Sequence, residues 1–250
     1  MSHPPKDATL ARSVARSLGV PTRYAHLVPV LFQTCENLGS SPEPALEMLR
    51  RAGIGPNSRV LELACGLGAT AVGVAADLGA RVRAVDGCPA FVELARAAAK
   101  SRGVARTCTF EAADVRSIGD PRPTFDASLM VGHEGHEHAA PLLRAWTRPG
   151  GLYVFDDAIL RELGTPRTVV GAFIRSLGDA VEAFQEFTTP RLRRQIASDL
   201  KRLAEGVERA SAANPRLRRG LHSWFAQVTQ QSATLPNRAR AGLWLVRRSR

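Results

Sequence analysis

The densest chemistry in the sequence is Gly132-His133-Glu134-Gly135-His136-Glu137-His138. Three histidines and two glutamates fall within six residues, too many polar groups to bury without partners. They either face solvent or converge on something charged. A histidine with an unperturbed pKa of about 6.5 accepts a proton at neutral pH. His138 is the first candidate for a substrate-facing base, with His133 as the second and Glu137 beside them. Alternatively, Glu134, Glu137 and His138 form a donor set for Mg²⁺ or a transition metal, which would orient an oxygen substrate and lower its pKa. The spacing differs from the i, i+4 histidine pair of zinc proteases. A solvated connector with no ligand is the third reading, and all three stay open.

A second constellation is spread along the chain. Val60-Leu61-Glu62-Leu63 is an apolar run that reads as a buried parallel strand. It breaks at Cys65-Gly66-Leu67-Gly68, and an alanine-rich helical stretch follows from Ala69. Glycines at a strand-to-helix turn let a ligand approach the backbone and leave helix N–H groups facing it. The next strand, Arg81 to Asp86, ends in a carboxylate 24 residues after Glu62, placed to accept ribose hydroxyls. A third strand, Cys108 to Ala112, leads to Ala113-Asp114-Val115. A fourth, Phe125 to Val131, leads into the His/Glu loop, and a fifth, Gly151 to Phe155, follows Arg148-Pro149-Gly150-Gly151. Strands alternating with helices predict an α/β, Rossmann-like, doubly wound and mostly parallel sheet.

This order resembles the class I S-adenosylmethionine (SAM)-dependent methyltransferases. The motifs are Glu62 with the Cys65–Gly68 turn, Asp86, Asp114, Phe125-Asp126 and Pro149-Gly150-Gly151. The resemblance covers roughly Leu46 to Ala158, with a final strand near Leu243. It implies SAM as cofactor. Backbone at Ala64, Cys65, Gly66 and Gly68 would face the methionine moiety. Asp86 would hold the ribose, with Gly87 and Cys88 near the adenosine; Asp114 would accept from the adenine amine, with Val115 beside the ring. Ala64 stands where the family usually has its first glycine, and a nicotinamide dehydrogenase would need a third glycine that this turn lacks. Glu134-Gly135-His136-Glu137-His138 is similar to the E-x-x-E-H of ubiquinone-pathway O-methyltransferases, where such groups accompany a divalent metal. Two extra residues separate it from Asp126 by that comparison. Many relatives keep only the Glu-His pair and bind no metal, so a metal is the lesser expectation.

Composition bounds the rest. The 250 residues carry a net charge of +11. Residues 1–160 hold 17 Lys+Arg against 16 Asp+Glu, and residues 161–250 hold 17 against 7. A basic half invites a nucleic-acid partner. Only three of the 34 basic residues are lysines, however, and the basic half has few interleaved aromatics for base stacking. A solvated basic face is preferred over an anionic small substrate or a specific nucleic acid. The Asn/Asp-Pro-Pro-Tyr/Phe motif of base amino-group methylation is missing after the fourth strand. No apolar run is long enough for a membrane span, and the N-terminus has no signal-peptide core. Cys35, Cys65, Cys88 and Cys108 form no C-x-x-C pair, which predicts reduced thiols in a cytoplasmic protein.

Four regions follow: an N-terminal helical segment (1–40), a SAM-binding core (41–160), a helical insertion or cap (161–236) and a final strand (237–250). Residues 1–15 are expected to be loosely attached. Tyr24 to Phe32 is too apolar for a tail and either patches the core or brings Arg23, Tyr24 and His26 to the site. Periodicity places Phe91, Leu94, Ala95 and Ala98 on one helix face and turns Leu142, Leu143 and Trp146 inward. Val169, Phe173 and Leu177, then Val181, Phe184 and Phe187, read as a helical face within a mostly helical 165–234. The expected activity is methyl transfer to a small-molecule acceptor. The alternatives are an RNA methyltransferase or a noncatalytic SAM-binding protein.

Overall fold

The computed structural model describes residues 6–132 and 135–250; His133 and Glu134 of the loop therefore lie outside the described residues. Seven strands form one sheet: β1 (Arg59–Leu63), β2 (Arg81–Asp86), β3 (Cys108–Ala112), β4 (Phe125–Met130), β5 (Thr147–Leu160), β6 (Ala180–Glu186) and β7 (Ala239–Arg247). Their order is β3-β2-β1-β4-β5-β7-β6. The first five are parallel, and β7 runs antiparallel between β5 and β6. This is the doubly wound sheet the strand pattern predicts. The order turns back between β1 and β4, so their carboxyl ends open the crevice where ligands bind in such sheets.

Side-chain alternation in β1 divides the core. Val60 faces a layer with Leu49 of α3 (Glu43–Arg51), Val74 of α4 (Ala69–Asp77) and Ala95 of α5 (Pro89–Ser101). Leu61 and Leu63 face the other layer, with Leu143 of α6 (His136–Trp146) and Ile174 of α7 (Pro166–Ser176). A third core lies off the sheet. It joins α1 (Lys6–Ser17), a 3₁₀ turn (Thr22–Leu27) and α2 (Val28–Phe32) to α8 (Thr189–Ala213) and α9 (Arg218–Arg238). Leu31, Leu221 and Trp224 fill it, and Cys88 and Phe91 attach it to the sheet domain.

Several expectations are corrected. Residues 6–15 are not loose: they lie in α1, and Ala15 is fully buried. Ala180–Glu186 is strand, not helix. Val181, Phe184 and Phe187 recur every three residues and mimic a helix face. Pairing with β7 overrides that signal, and Phe184 packs on Trp244 with ring centroids 4.7 Å apart. On α5 the buried face is Phe91, Val92, Ala95 and Ala99, while Leu94 is 40% exposed. On α7 the i+4 period is right but offset by one residue: Val170 and Ile174 are buried, flanked by half-buried Val169 and Phe173. On α6, Leu143 and Trp146 are buried, and Leu142 instead lines a cavity.

Candidate active site

The turn after β1 has the backbone of a ligand cradle. Ala64 and Gly66 both take left-handed φ angles, +55° and +52°. For alanine this costs about 1 kcal/mol, and it turns the backbone outward instead of continuing the strand. The turn is tied down: Cys65 N–H donates to Val85 O (3.0 Å) and Gly68 N–H to Cys65 O (2.8 Å). Asp86, 7% exposed at the end of β2, accepts from Gly66 N–H through Oδ2 and from Cys88 N–H through Oδ1, both at 2.8 Å. One carboxylate therefore fixes both the glycine turn and the start of α5.

A cavity of about 330 Å³ opens above this turn, a size suited to a small ligand. Ala64, Gly66, Asp86, Gly87, Asp114, Val115 and His138 all line it. Among the other residues singled out from sequence, Cys65 and Cys88 are buried behind the wall, and Gly68 serves packing. A Cβ on Gly68 would lie 2.7 Å from Ala95 Cβ and 2.8 Å from Phe110. Glu62 is also buried behind the turn. Burial pushes its carboxyl up to about 8, against the opposing pull of hydrogen bonds from Ala71 and Thr70. Its Oε2 has no hydrogen-bond partner among the described residues.

Asp114 carries a partner the sequence reading missed. Arg116 Nη2 donates to Oδ2 at 2.7 Å; Arg116 Nε and its backbone N–H both donate to Oδ1 at 2.9 Å. The Arg116 guanidinium holds the Asp114 carboxyl below the usual carboxylate range. Of about four acceptor positions on a carboxylate, one on Oδ2 is left by these bonds. Also missed was α1, whose Leu10, Ser13, Val14 and Ser17 form the cavity roof. The spacing of Leu10, Val14 and Leu18 at i, i+4, i+8 was a readable signal of a packed helix. Arg23, Tyr24 and His26 do not line the cavity; Tyr24 is buried in the third core, with Arg23 over its ring.

The His/Glu loop divides by function. His136 is buried, and its Nδ1 lies 2.6 Å from Asp157 Oδ2, which also accepts the His136 backbone N–H at 2.9 Å. Phe173 packs edge-on against the imidazole. His136 thus anchors the start of α6. Glu137 is exposed and does not line the cavity, whereas His138 is exposed and does. Among the described residues no three His, Cys, Asp or Glu side chains are grouped to hold a metal. Asp156 braces the loop from below, accepting from Gly132 N–H (2.7 Å) and from the Ser40 hydroxyl. Burial raises its carboxyl above the ordinary range despite these bonds.

Comparison with known proteins agrees with this geometry. Residues 60–151 match the model of the methyltransferase domain family. A search of curated protein sequences gave no match. Among solved structures, YjhP from E. coli superimposes with a TM-score of 0.75 at 19% identity, over 90% of this chain and 99% of that one. A SAM-dependent methyltransferase from Thiobacillus denitrificans, crystallised with S-adenosyl-L-homocysteine, gives 0.70 at 22% identity, over 87% and 96%. The [4+2]-cyclase SpnF gives 0.71 at 16%, over 96% of each chain. Residues 60–151 thus match a methyltransferase domain, and the solved structures share the Rossmann-like fold, while the N-terminal helices pack with α8 and α9 in the third core.

Proposed function

We propose that the chain transfers a methyl group from SAM to a small-molecule acceptor held beneath the cap. The observation that carries the reading is the cavity joining the β1 turn, Asp86 and Asp114 on one wall to His138 on another. These residues fit the donor. Ala64 and Gly66 offer outward-turned backbone to its amino-acid end, Asp86 faces the ribose position, and Asp114 keeps an acceptor position for an adenine amine. When bound, the sulfonium supplies an electrophilic methyl group and leaves as the thioether of S-adenosylhomocysteine.

The protein's share is proximity and orientation, plus a place for one proton. Ala64, Gly66, Asp86 and Asp114 would hold the donor on one wall of the cavity that His138 also lines. His138, at the first turn of α6, is positioned to take the proton the acceptor loses. Leu10 and Val14 of α1 put apolar cover over one side of the cavity. Calorimetric titration with S-adenosylhomocysteine tests the reading: one-site binding is expected, and no binding would overturn it.

The RNA reading receives less support. Several arginines of the basic half are engaged internally: Arg202 with Glu36, Arg240 with Glu186 and Arg247 with Glu182. Tight, sequence-selective RNA retention on filters at physiological salt would reverse this preference.

A further inference from the structure

The cap encloses more space than the cofactor cavity. A second cavity of about 230 Å³ shares Leu18 and Leu38 with it and is otherwise walled largely by apolar side chains, among them Phe32, Leu203 and Trp224. A third, of about 310 Å³, shares Gly39, Ile196 and Asp199 with the second and reaches Asp156 and Asp157. The three spaces run around the Leu38-Gly39 segment, and Asp199 stands where the two outer ones meet.

Asp199 has no established task. It is half-buried on α8, and Gln195 Nε2 donates to its Oδ1 at 3.0 Å. Among the described residues no arginine forms an ion pair with it. Arg202 donates instead to Thr34 O and Glu36, and Arg191 lies over the Phe187 ring at 5.3 Å. Burial pushes the Asp199 carboxyl up to about 6, against the pull of the nearby Arg202 guanidinium, whose Nη1 and Nη2 donate to Thr34 O and Glu36; at neutral pH it is still an anion, facing mostly apolar space with no ion pair of its own among the described residues. That state is costly, and a cation placed in the cavity relieves it.

We propose that these cap cavities hold the body of the acceptor, whose reacting atom reaches past Leu18 and Leu38 into the cavity lined by His138, and that Asp199 selects an acceptor carrying a basic nitrogen on an apolar body. The inference rests on the small-molecule methyltransferase reading and adds the substrate class. The apolar walls take the body, and the Asp199 carboxylate anchors the protonated nitrogen.

The test is calorimetry of the full chain saturated with S-adenosylhomocysteine, using three probes of matched shape: 4-phenylbutylamine, 4-phenylbutanol and 4-phenylbutyrate. The amine should bind at least about tenfold tighter than the alcohol or the acid, a difference of about 1.4 kcal/mol. Asp199→Asn should bring the amine's affinity down to the alcohol's, and Asp199→Glu should keep the preference. Both variants should bind S-adenosylhomocysteine as the parent does, which excludes misfolding. Equal or tighter binding of the alcohol or acid overturns the proposal. So does an amine preference that survives Asp199→Asn, or no binding by any probe. If the cofactor product itself fails to bind, the methyltransferase reading fails instead.

Discussion

Gly39 crosses Gly132 so closely that neither position has room for a side chain. A Cβ on Gly132 would lie 2.6 Å from both Gly39 Cα and Leu38 O, and Gly132 also has φ +84°. Gly132 lines the cofactor cavity, Gly39 lines the outer cap space, and Leu38 beside the crossing borders both the first and the second cavity. Asp156 pins it from below through the Gly132 amide and Ser40 hydroxyl. Gly132→Ala should therefore destabilise the protein by about 1–3 kcal/mol, through overlap and backbone strain together. Chemical denaturation measures this, and an unchanged midpoint would mean that the crossing relaxes freely.

Asp86→Ala should weaken S-adenosylhomocysteine binding by about 1.5–3 kcal/mol, the range for hydrogen bonds to a charged group. The variant also strips Gly66 and Cys88 of the acceptor that shapes their turn. Calorimetry on a variant shown to be folded decides the point. Unchanged affinity would remove Asp86 from the site.

Glu62 gives a pH signature of unusual sign. Its carboxyl sits at about 8 in the fold against 4.5 as the ordinary value, because burial disfavours the anion. Between those values the folded state holds a proton that the unfolded chain has released. Stability must therefore fall as pH rises through that window. Glu62→Gln removes this contribution. Its unfolding free energy should decline less between pH 5 and 8 than the parent's, by at least about 1.4 kcal/mol, one pKa unit's worth. Parallel curves in denaturation series at the two pH values would contradict the burial argument.

His138→Ala should cut turnover by about 10²–10⁴-fold if the imidazole takes the acceptor's proton. Affinity for S-adenosylhomocysteine should be nearly unchanged. A parallel EDTA treatment tests the other use of the loop. Activity lost with EDTA and restored by Mg²⁺ would assign the loop to a metal. Indifference to both changes would reduce it to a connector.

The sheet was legible because parallel strands buried on both faces leave continuous apolar runs, as in Val60 to Leu63 and Phe125 to Val131. The carboxylates at Asp86 and Asp114 were legible because one ends strand β2 and the other follows strand β3 by two residues. Contacts made only in three dimensions were not. Nothing local to Arg116 marks it as the partner of Asp114. Nothing in His133 to His138 distinguishes the imidazole that pairs with Asp157 from the one that reaches the cavity. Edge strand β6 was misread because its apolar residues recur at i, i+3, i+6, a spacing a helix face also produces. Residues 6–15 were misread because a mostly polar segment can still be held by a few apolar anchors, here led by Ala15 and Val14.

The hydrogen bond from Trp224 Nε1 to Gly19 O, 2.9 Å long, joins residues 205 positions apart. During synthesis, β1 through β5 and the whole glycine turn leave the ribosome before α9 exists. The parallel sheet and the glycine turn can thus organise while α1 and α2 still lack the helices that complete their core. Closure of such distant segments is slow and entropically costly, and the cap should behave as a cooperative unit separate from the sheet. In hydrogen exchange, the amides of α1, α2, α8 and α9 should open together, at a lower free energy than those of β1, β4 and β5. Ligand traffic would then follow the breathing of the cap over a sheet that stays folded.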